Sequence, residues 1–239
     1  MAEDRRGEKI IISENGSETA EAMGGAYAGV DMREIYEKKP VLYKMIKRLF
    51  DIFGSAAAMV ILSPVFIVTS IAVKACDGGP AFYSGMRYGK DMKIFPMHKF
   101  RSMCVDAESK TEKYLRAGDI NGLAFKIKND PRVTTVGRFI RRTSIDELPQ
   151  LWNVFKGEMS LVGPRPIQVT DKEISEYEKQ RWIVKPGITC FWQVSRREFV
   201  PWDEWVDMDL KYIQEMGIIT DIKLLFKTIG ALIYKAGRR

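Results

Sequence analysis

The sequence predicts a mixed α/β, helix-rich fold attached to a membrane. Three observations lead there. Residues Ile52–Val73 form 22 consecutive positions without a formal charge, Lys93–Phe100 with Ala81–Tyr83 before it has the look of a small β-hairpin, and apolar residues recur at helical spacing over 136–140 and 222–233. The 239 residues are 46% apolar and 29% charged with a net charge of +7, which excludes a disordered, collagen-like or disulfide-scaffold protein. A basic balance of this size leaves nucleic acid, an anionic membrane surface and phosphorylated small molecules open as partners.

The charge is unevenly placed. Residues 1–40 hold nine acids and six bases, a net −3, so the remaining 199 residues carry +10. The first 30 residues contain Gly7, Gly16, Gly24, Gly25 and Gly29 and one short apolar run, Ile10–Ile12, too little to bury. Residues 1–40 are therefore expected to form a flexible acidic N-terminal arm, and they lack the basic-then-apolar pattern of a secretory signal. Cys76, Cys104 and Cys190 are odd in number and show no CxxC or Cys/His spacing, which points to a reducing, cytosolic setting without a zinc site.

As one straight helix, Ile52–Val73 would be about 33 Å long, enough for a hydrocarbon core of roughly 30 Å. A buried core helix usually stops at about 10–14 residues. At the centre of the run stand Ser63 and Pro64. Pro64 has no N–H for the carbonyl of Val60, and its ring crowds that carbonyl, so the helix is expected to break there. Lys38, Lys39, Lys44, Lys47 and Arg48 precede the run; Lys74, Arg87, Lys90 and Lys93 follow it. Basic flanks on both sides favour both ends on the cytoplasmic face. Because proline is common in spanning helices, these grounds alone place a kinked span ahead of a re-entrant anchor.

After the run, Gly78-Gly79-Pro80 turns the chain, and the hairpin follows with Gly89-Lys90-Asp91 between its strands. His98, the only histidine, reads as a surface polar residue beside a strand. Residues 104–117 are helix-like and strongly charged, a solvated face. Val136, Phe139 and Ile140 make an apolar stripe on a short helix bearing Arg138, Arg141 and Arg142, suited to lipid headgroups or phosphate. Thr143-Ser144-Ile145-Asp146-Glu147 has the composition of a helix start, which would set Asp146 and Glu147 at a helix N-terminus that favours bound phosphate. Either they are an N-cap and a first-turn acid only, or they belong to a phosphate site with Arg141, Arg142 and Arg165. Gly163-Pro164-Arg165-Pro166 and Pro186-Gly187-Ile188-Thr189 are rigid turns. Trp192, Trp202, Trp205 and Tyr212 suit a membrane interface or a core equally. The last helix, with Ile222, Leu225, Phe226, Ile229, Leu232 and Ile233, suits an interface plane or a packed terminus.

Five stretches carry a resemblance: KRLFD before the apolar run, the central Ser63-Pro64, KFRSM at 99–103, TSIDELPQLWNVFKGEMSLVGPRP at 143–166 and KPGITCFWQV at 185–194. Together they resemble the monotopic phosphoglycosyl transferases, the bacterial sugar transferase family, over residues 44–235. The resemblance implies a monotopic membrane protein whose re-entrant helix, residues 41–75, breaks at Ser63-Pro64, and a cytoplasmic catalytic domain over 76–239. It also implies a place in the bacterial inner membrane with the active site on the cytoplasmic face. The implied reaction moves a sugar-1-phosphate from a UDP-sugar to polyprenyl (undecaprenyl) phosphate and releases UMP, with Mg²⁺, through a covalent aspartyl intermediate. The family's acidic dyad falls on Asp146, the nucleophile, and Glu147, with both carboxylates available to the metal. Lys99, Arg141, Arg165 and Arg197 would hold phosphate oxygens, and Asp221 would complete the polar site. Ser195-Arg196-Arg197 stands where the family commonly has Asn-Gly-Arg, and Glu215–Thr220 replaces its usual Asn-Trp-Ser stretch. Cys190-Phe191-Trp192 looks like exopolysaccharide-type members that move a hexose such as galactose or glucose. The partners implied are UDP-sugar, undecaprenyl phosphate, membrane lipid and, as a candidate, a second copy of the chain, with no nucleic acid. The alternative is a non-catalytic membrane scaffold of a polysaccharide assembly complex, which accounts for the anchor and leaves the acidic pair unexplained.

Overall fold

The computed structural model describes residues 25–107, 120–121, 124–125, 130–170, 173–195 and 200–237. The fold is helix-rich, with three two-stranded sheets among the described residues.

Packed structure is present within the segment expected to be an arm. Helix α1 (Met32–Lys38) starts at Asp31, whose carboxylate accepts from the N–H groups of Arg33 and Glu34. Val30 and Met32 are buried in the main core with Leu210 and Ile213, and the Met32 N–H donates to Gln180 Oε1 at 2.8 Å. Residues 25–40 are therefore part of the body and not of an arm. A few well-spaced side chains, Tyr27, Val30, Met32, Ile35 and Tyr36, supply the burial that the glycine-rich composition concealed. Residues 1–24 of the expected arm lie outside the described residues.

Helices α2 (Val41–Ile61) and α3 (Ser63–Asp77) are bent by 62° around Leu62. Pro64 cannot donate to the carbonyl of Val60, and the Ser63 hydroxyl donates to that carbonyl instead, at 2.7 Å. No single helix among the described residues is long and apolar enough to cross a membrane; the bent pair meets that criterion of length and composition together. Its polarity is inverted relative to a soluble helix. Leu42, Phe53, Val60, Ile61, Val68 and Ile71 are exposed, whereas Asp51 and Ser55 are buried. Asp51 Oδ1 accepts from the N–H of Leu161 at 2.9 Å and from Ser160 Oγ at 3.0 Å, which fastens α2 to the body.

The expected hairpin is present as β1 (Phe82–Tyr88) and β2 (Ile94–Phe100), antiparallel with Tyr83 opposite Lys99. Strands β3 (Ile120–Asn121) and β4 (Ala124–Phe125) form a minimal antiparallel pair. The segment 104–117 begins as a turn, and residues 108–117 lie outside the described residues. Helix α4 (Thr135–Thr143) packs Val136 and Ile140 against Phe66, Val73 and Phe100. Phe139, expected on the same stripe, is 52% exposed.

Helix α5 (Gln150–Lys156) leads into β5 (Ser160–Val162), which pairs in parallel with β6 (Gly187–Thr189), with the short helix α6 (Glu176–Lys179) between them. Helices α7 (Phe191–Val194), α8 (Trp202–Glu215) and α9 (Ile218–Gly237) close the body. Trp192, Trp202 and Trp205 belong to the core: Trp192 stacks on the buried Trp205 with ring centroids 4.5 Å apart, and Tyr212 is fully buried. Helix α9 buries Asp221 and Leu224, while Ile219, Ile222, Phe226 and Ile229 are exposed.

Candidate active site

Ser144 ends α4 in the left-handed region, φ +58°, and the next three residues, Ile145–Glu147, form one 3₁₀ turn. Pro149 then occupies the N-cap of α5. Asp146 and Glu147 thus stand on a tight turn between two helices, where the sequence predicted the first turn of one α-helix. The left-handed Ser144 and the missing Pro149 N–H keep the segment from joining either helix.

Asp146 is buried, with 9% of its surface exposed. Beside it, Glu147 Oε1 receives Arg165 Nη2 at 3.0 Å and Lys99 Nζ at 3.4 Å. Burial lowers the Lys99 ammonium; the Glu147 charge opposes that, and Arg165 adds to it. Burial would also lower Arg165, but the surrounding negative groups, Glu147 first and Asp146 among the rest, together outweigh it and hold the guanidinium above its ordinary value. The cluster is therefore a low-dielectric arrangement in which one carboxylate keeps two cations in place. Arg141 donates through Nε to Ser102 Oγ at 2.8 Å; burial lowers it, while Asp146 and then Asp130 pull it up.

Arg165 is positioned by its backbone. The N–H of Gly163 donates to Thr189 O at 3.0 Å and that of Gly187 to Pro164 O at 2.8 Å, which ties the two rigid turns together. A Cβ on Gly187 would sit 2.1 Å from Gly163 N, so both glycines serve this close backbone approach. From the other side, the buried Arg181 donates through Nη2 to the Arg165 carbonyl at 3.0 Å and pairs with Asp209. The Arg165 guanidinium lies 5.4 Å from the Trp192 ring centroid and 3.3 Å from Gln193 Oε1.

The structure thus brings together Asp146, Glu147, Lys99, Arg141 and Arg165. Asp221 has a set of partners of its own. Its carboxylate is occupied by Tyr212 at 2.8 Å, Lys47 at 2.9 Å and Tyr43 at 3.1 Å, and these donors make it a clamp between α2, α8 and α9. Arg197 lies outside the described residues. Sequence reasoning missed Arg87 as a neighbour of the site. It is half-buried, and burial lowers it, with Arg165 among the further causes. The signal was the strand period: Arg87 lies four residues after Tyr83, the partner of Lys99, hence on the same face of the hairpin.

Among the described residues, no three of His, Cys, Asp and Glu converge as a ligand set. Two adjacent carboxylates nonetheless suit Mg²⁺, which is commonly held by one or two carboxylates with waters and substrate phosphates completing the shell.

A family description, bacterial sugar transferase, matches residues 42–235. The chain is 46% identical over 202 residues to the undecaprenyl-phosphate galactose phosphotransferase of Salmonella typhimurium, covering 81% of this chain and 42% of that protein. It is 44% identical over 197 residues to the galactosyl transferase CpsE of Streptococcus agalactiae, covering 81% of this chain and 43% of that one. To the exopolysaccharide production protein ExoY of Rhizobium meliloti it is 37% identical over 201 residues, covering 81% and 88%. The chain therefore spans less than half the length of the first two and most of the third. The match extends across the bent helix pair, the hairpin and the acidic turn, and the chain belongs to the bacterial sugar transferase family.

Proposed function

We infer that this chain transfers a sugar-1-phosphate, from a hexose class, from a UDP-sugar to undecaprenyl phosphate and releases UMP, as the first membrane step of exopolysaccharide or related glycoconjugate synthesis. The observation that carries the reading is Glu147 held between Lys99 and Arg165, one residue from the buried Asp146, with Arg141 alongside. The relatives' names supply the acceptor and the sugar class.

In this reading an Asp146 carboxylate oxygen attacks the β-phosphorus of the donor. The bond from that phosphorus to the bridging oxygen breaks, its electron pair leaves with UMP, and the phosphosugar remains on Asp146. An oxygen of undecaprenyl phosphate then attacks the same phosphorus, the Asp146–phosphorus bond breaks, and a lipid-linked diphosphate sugar departs. Splitting one transfer in two is the general advantage of a covalent route. Asp146 is suited to it because a carboxylate needs no base to activate it. Lys99, Arg141, Arg165 and, by family position, Arg197 hold the phosphate oxygens, with Arg165 offering a planar fork and Lys99 a point charge. Glu147 fixes that pair of cations before substrate arrives, so little reorganisation accompanies the reaction. Asp146 and Glu147 would hold Mg²⁺, which when bound neutralises charge on the diphosphate.

The outward apolar residues of α2, α3 and α9 support a monotopic, re-entrant seating in the bacterial inner membrane with the acidic turn on the cytoplasmic face. Engineered cysteines at both ends of the bent pair should label from the cytoplasmic side; labelling of one end from the periplasm would establish a span. For the reaction, Asp146→Asn in detergent or nanodiscs should abolish UMP release from UDP-sugar, and retained turnover would sink the nucleophile assignment.

A further inference from the structure

A cavity of about 130 Å³ lies at the base of α2, lined by residues of α1, α2, β5 and α8, and no residue of the acidic turn lines it. Five cations line it: Lys44, Lys47, Arg48, Lys90 and Lys185. Among its described lining residues Asp51 is the one carboxylate, and Asp51 Oδ1 already accepts from Ser160 and Leu161. Lys47 is matched by Asp221 at 2.9 Å, just beyond the wall. Among the described residues the remaining cations have no such match. Arg48 spends two nitrogens on the carbonyls of Val154 and Phe155, each at 2.8 Å. Lys185 has no ion-pair partner among the described residues, and its Nζ and Arg48 Nη2 both stand within 3.3 Å of where a Cβ would be on Gly157, which is at the edge of the cavity and not among its lining residues. Lys44 and Lys90 lie against the Tyr36 ring, at 4.6 and 4.8 Å from its centroid. Burial lowers the Lys185 ammonium, and Arg48, Lys90 and Lys47 lower it further, with Asp51 opposing.

Converging like charges in a partly enclosed space are unfavourable without a counter-ion. The volume narrows what that counter-ion is. It far exceeds the roughly 10–15 Å³ that one water needs and falls short of the roughly 300 Å³ at which pockets for whole small molecules begin. A tetrahedral anion fits that range, and lysine ammoniums bind phosphate as point charges. We propose that this cavity is a phosphate-binding site separate from the acidic turn, taking one phosphate group from the headgroup of a membrane lipid or from free inorganic phosphate. The proposal does not rest on the transferase reading.

Isothermal titration of the full chain in detergent, with inorganic phosphate and with short-chain phosphatidylglycerol as probes, tests it. Wild type should bind at least one probe, Lys185→Gln should weaken that binding by about tenfold or more, Lys90→Gln should weaken it less, and Lys185→Arg should restore it. Tighter binding of phosphatidylglycerol identifies a headgroup site; tighter binding of inorganic phosphate identifies a free-anion site. Failure of both probes to bind wild type, or binding by Lys185→Gln and Lys90→Gln equal to wild type, overturns the proposal. So does binding that survives Lys185→Gln and is lost in Arg165→Ala, which would put the anion at the acidic turn. UMP release is scored separately, so a failed phosphate site leaves the transferase reading standing and the reverse also holds.

Discussion

Two polar regions of the molecule carry the same kind of cation and differ in what faces it. At the acidic turn, Lys99 and Arg165 converge on Glu147, and each cation is held by a carboxylate of the protein itself. At the base of α2, five cations line a cavity whose one carboxylate among the described lining residues, Asp51, is already bonded to Ser160 and Leu161. Both regions draw on the same parallel strand pair: Ser160, Val162 and Lys185 line the cavity, and Arg165 follows three residues after Val162. The difference teaches that a count of lysines and arginines does not locate chemistry. A site organised for reaction carries its counter-charge within the protein, whereas an address for a ligand leaves the counter-charge to the ligand.

The largest way to break the comparison is to remove the internal counter-charge. Glu147→Gln should lower kcat by about 10²–10³-fold, the scale of losing one preorganised electrostatic group, while leaving phosphate binding at the cavity unchanged. Steady-state UMP release checks it.

Next in size is the pH response. Because burial lowers Lys99, its charge should be lost on the alkaline side below the ordinary lysine value of about 10.4, and activity should fall as pH rises through that lowered value. Lys99→Arg should carry the alkaline limb upward, since a guanidinium stays charged. Glu147→Gln should move it further down, because the carboxylate that supports the ammonium is gone. A pH profile of kcat/KM reads all three.

The smallest effect tests the shared wall. Gly187→Ala forces a Cβ to 2.1 Å from Gly163 N, backbone against backbone, so the strand pair must open. Overpacking of about 1–3 kcal/mol corresponds to a fall in Tm of roughly 3–10 °C for a chain of this size. Thermal unfolding in detergent should show that fall, with UMP release and phosphate binding weakened together.

Much of the frame was legible because it is local. The charge-free run, its break at Ser63-Pro64, the hairpin around Gly89 and the helix after Thr134 each announce themselves within one or two turns of chain. Asp146, Glu147 and Arg165 were legible as a motif. What escaped was set by partners distant in sequence. Strands β5 and β6 are three residues each, too short for a period, and only their contact shows why Gly163 and Gly187 are glycines. Asp221 was expected to complete the polar site, and its partners Tyr43, Lys47 and Tyr212, brought from two other helices, follow from no local pattern. Residues 25–40 looked like arm because composition averages over Val30 and Met32, the two positions that seat the segment in the core. Trp192, Trp202 and Trp205 could not be divided between core and interface until their stacking was seen.

The central claim is that Asp146 carries the phosphosugar between two half-reactions. The most direct measurement is intact-protein and peptide mass spectrometry of the wild-type chain incubated with UDP-sugar and Mg²⁺ in the absence of lipid acceptor. The account predicts one added hexose phosphate per chain, mapped to the peptide containing Asp146, absent from Asp146→Asn and discharged on adding undecaprenyl phosphate. An unmodified wild-type chain that still releases UMP only when acceptor is present, or a phosphosugar mapped to any other residue, would contradict it.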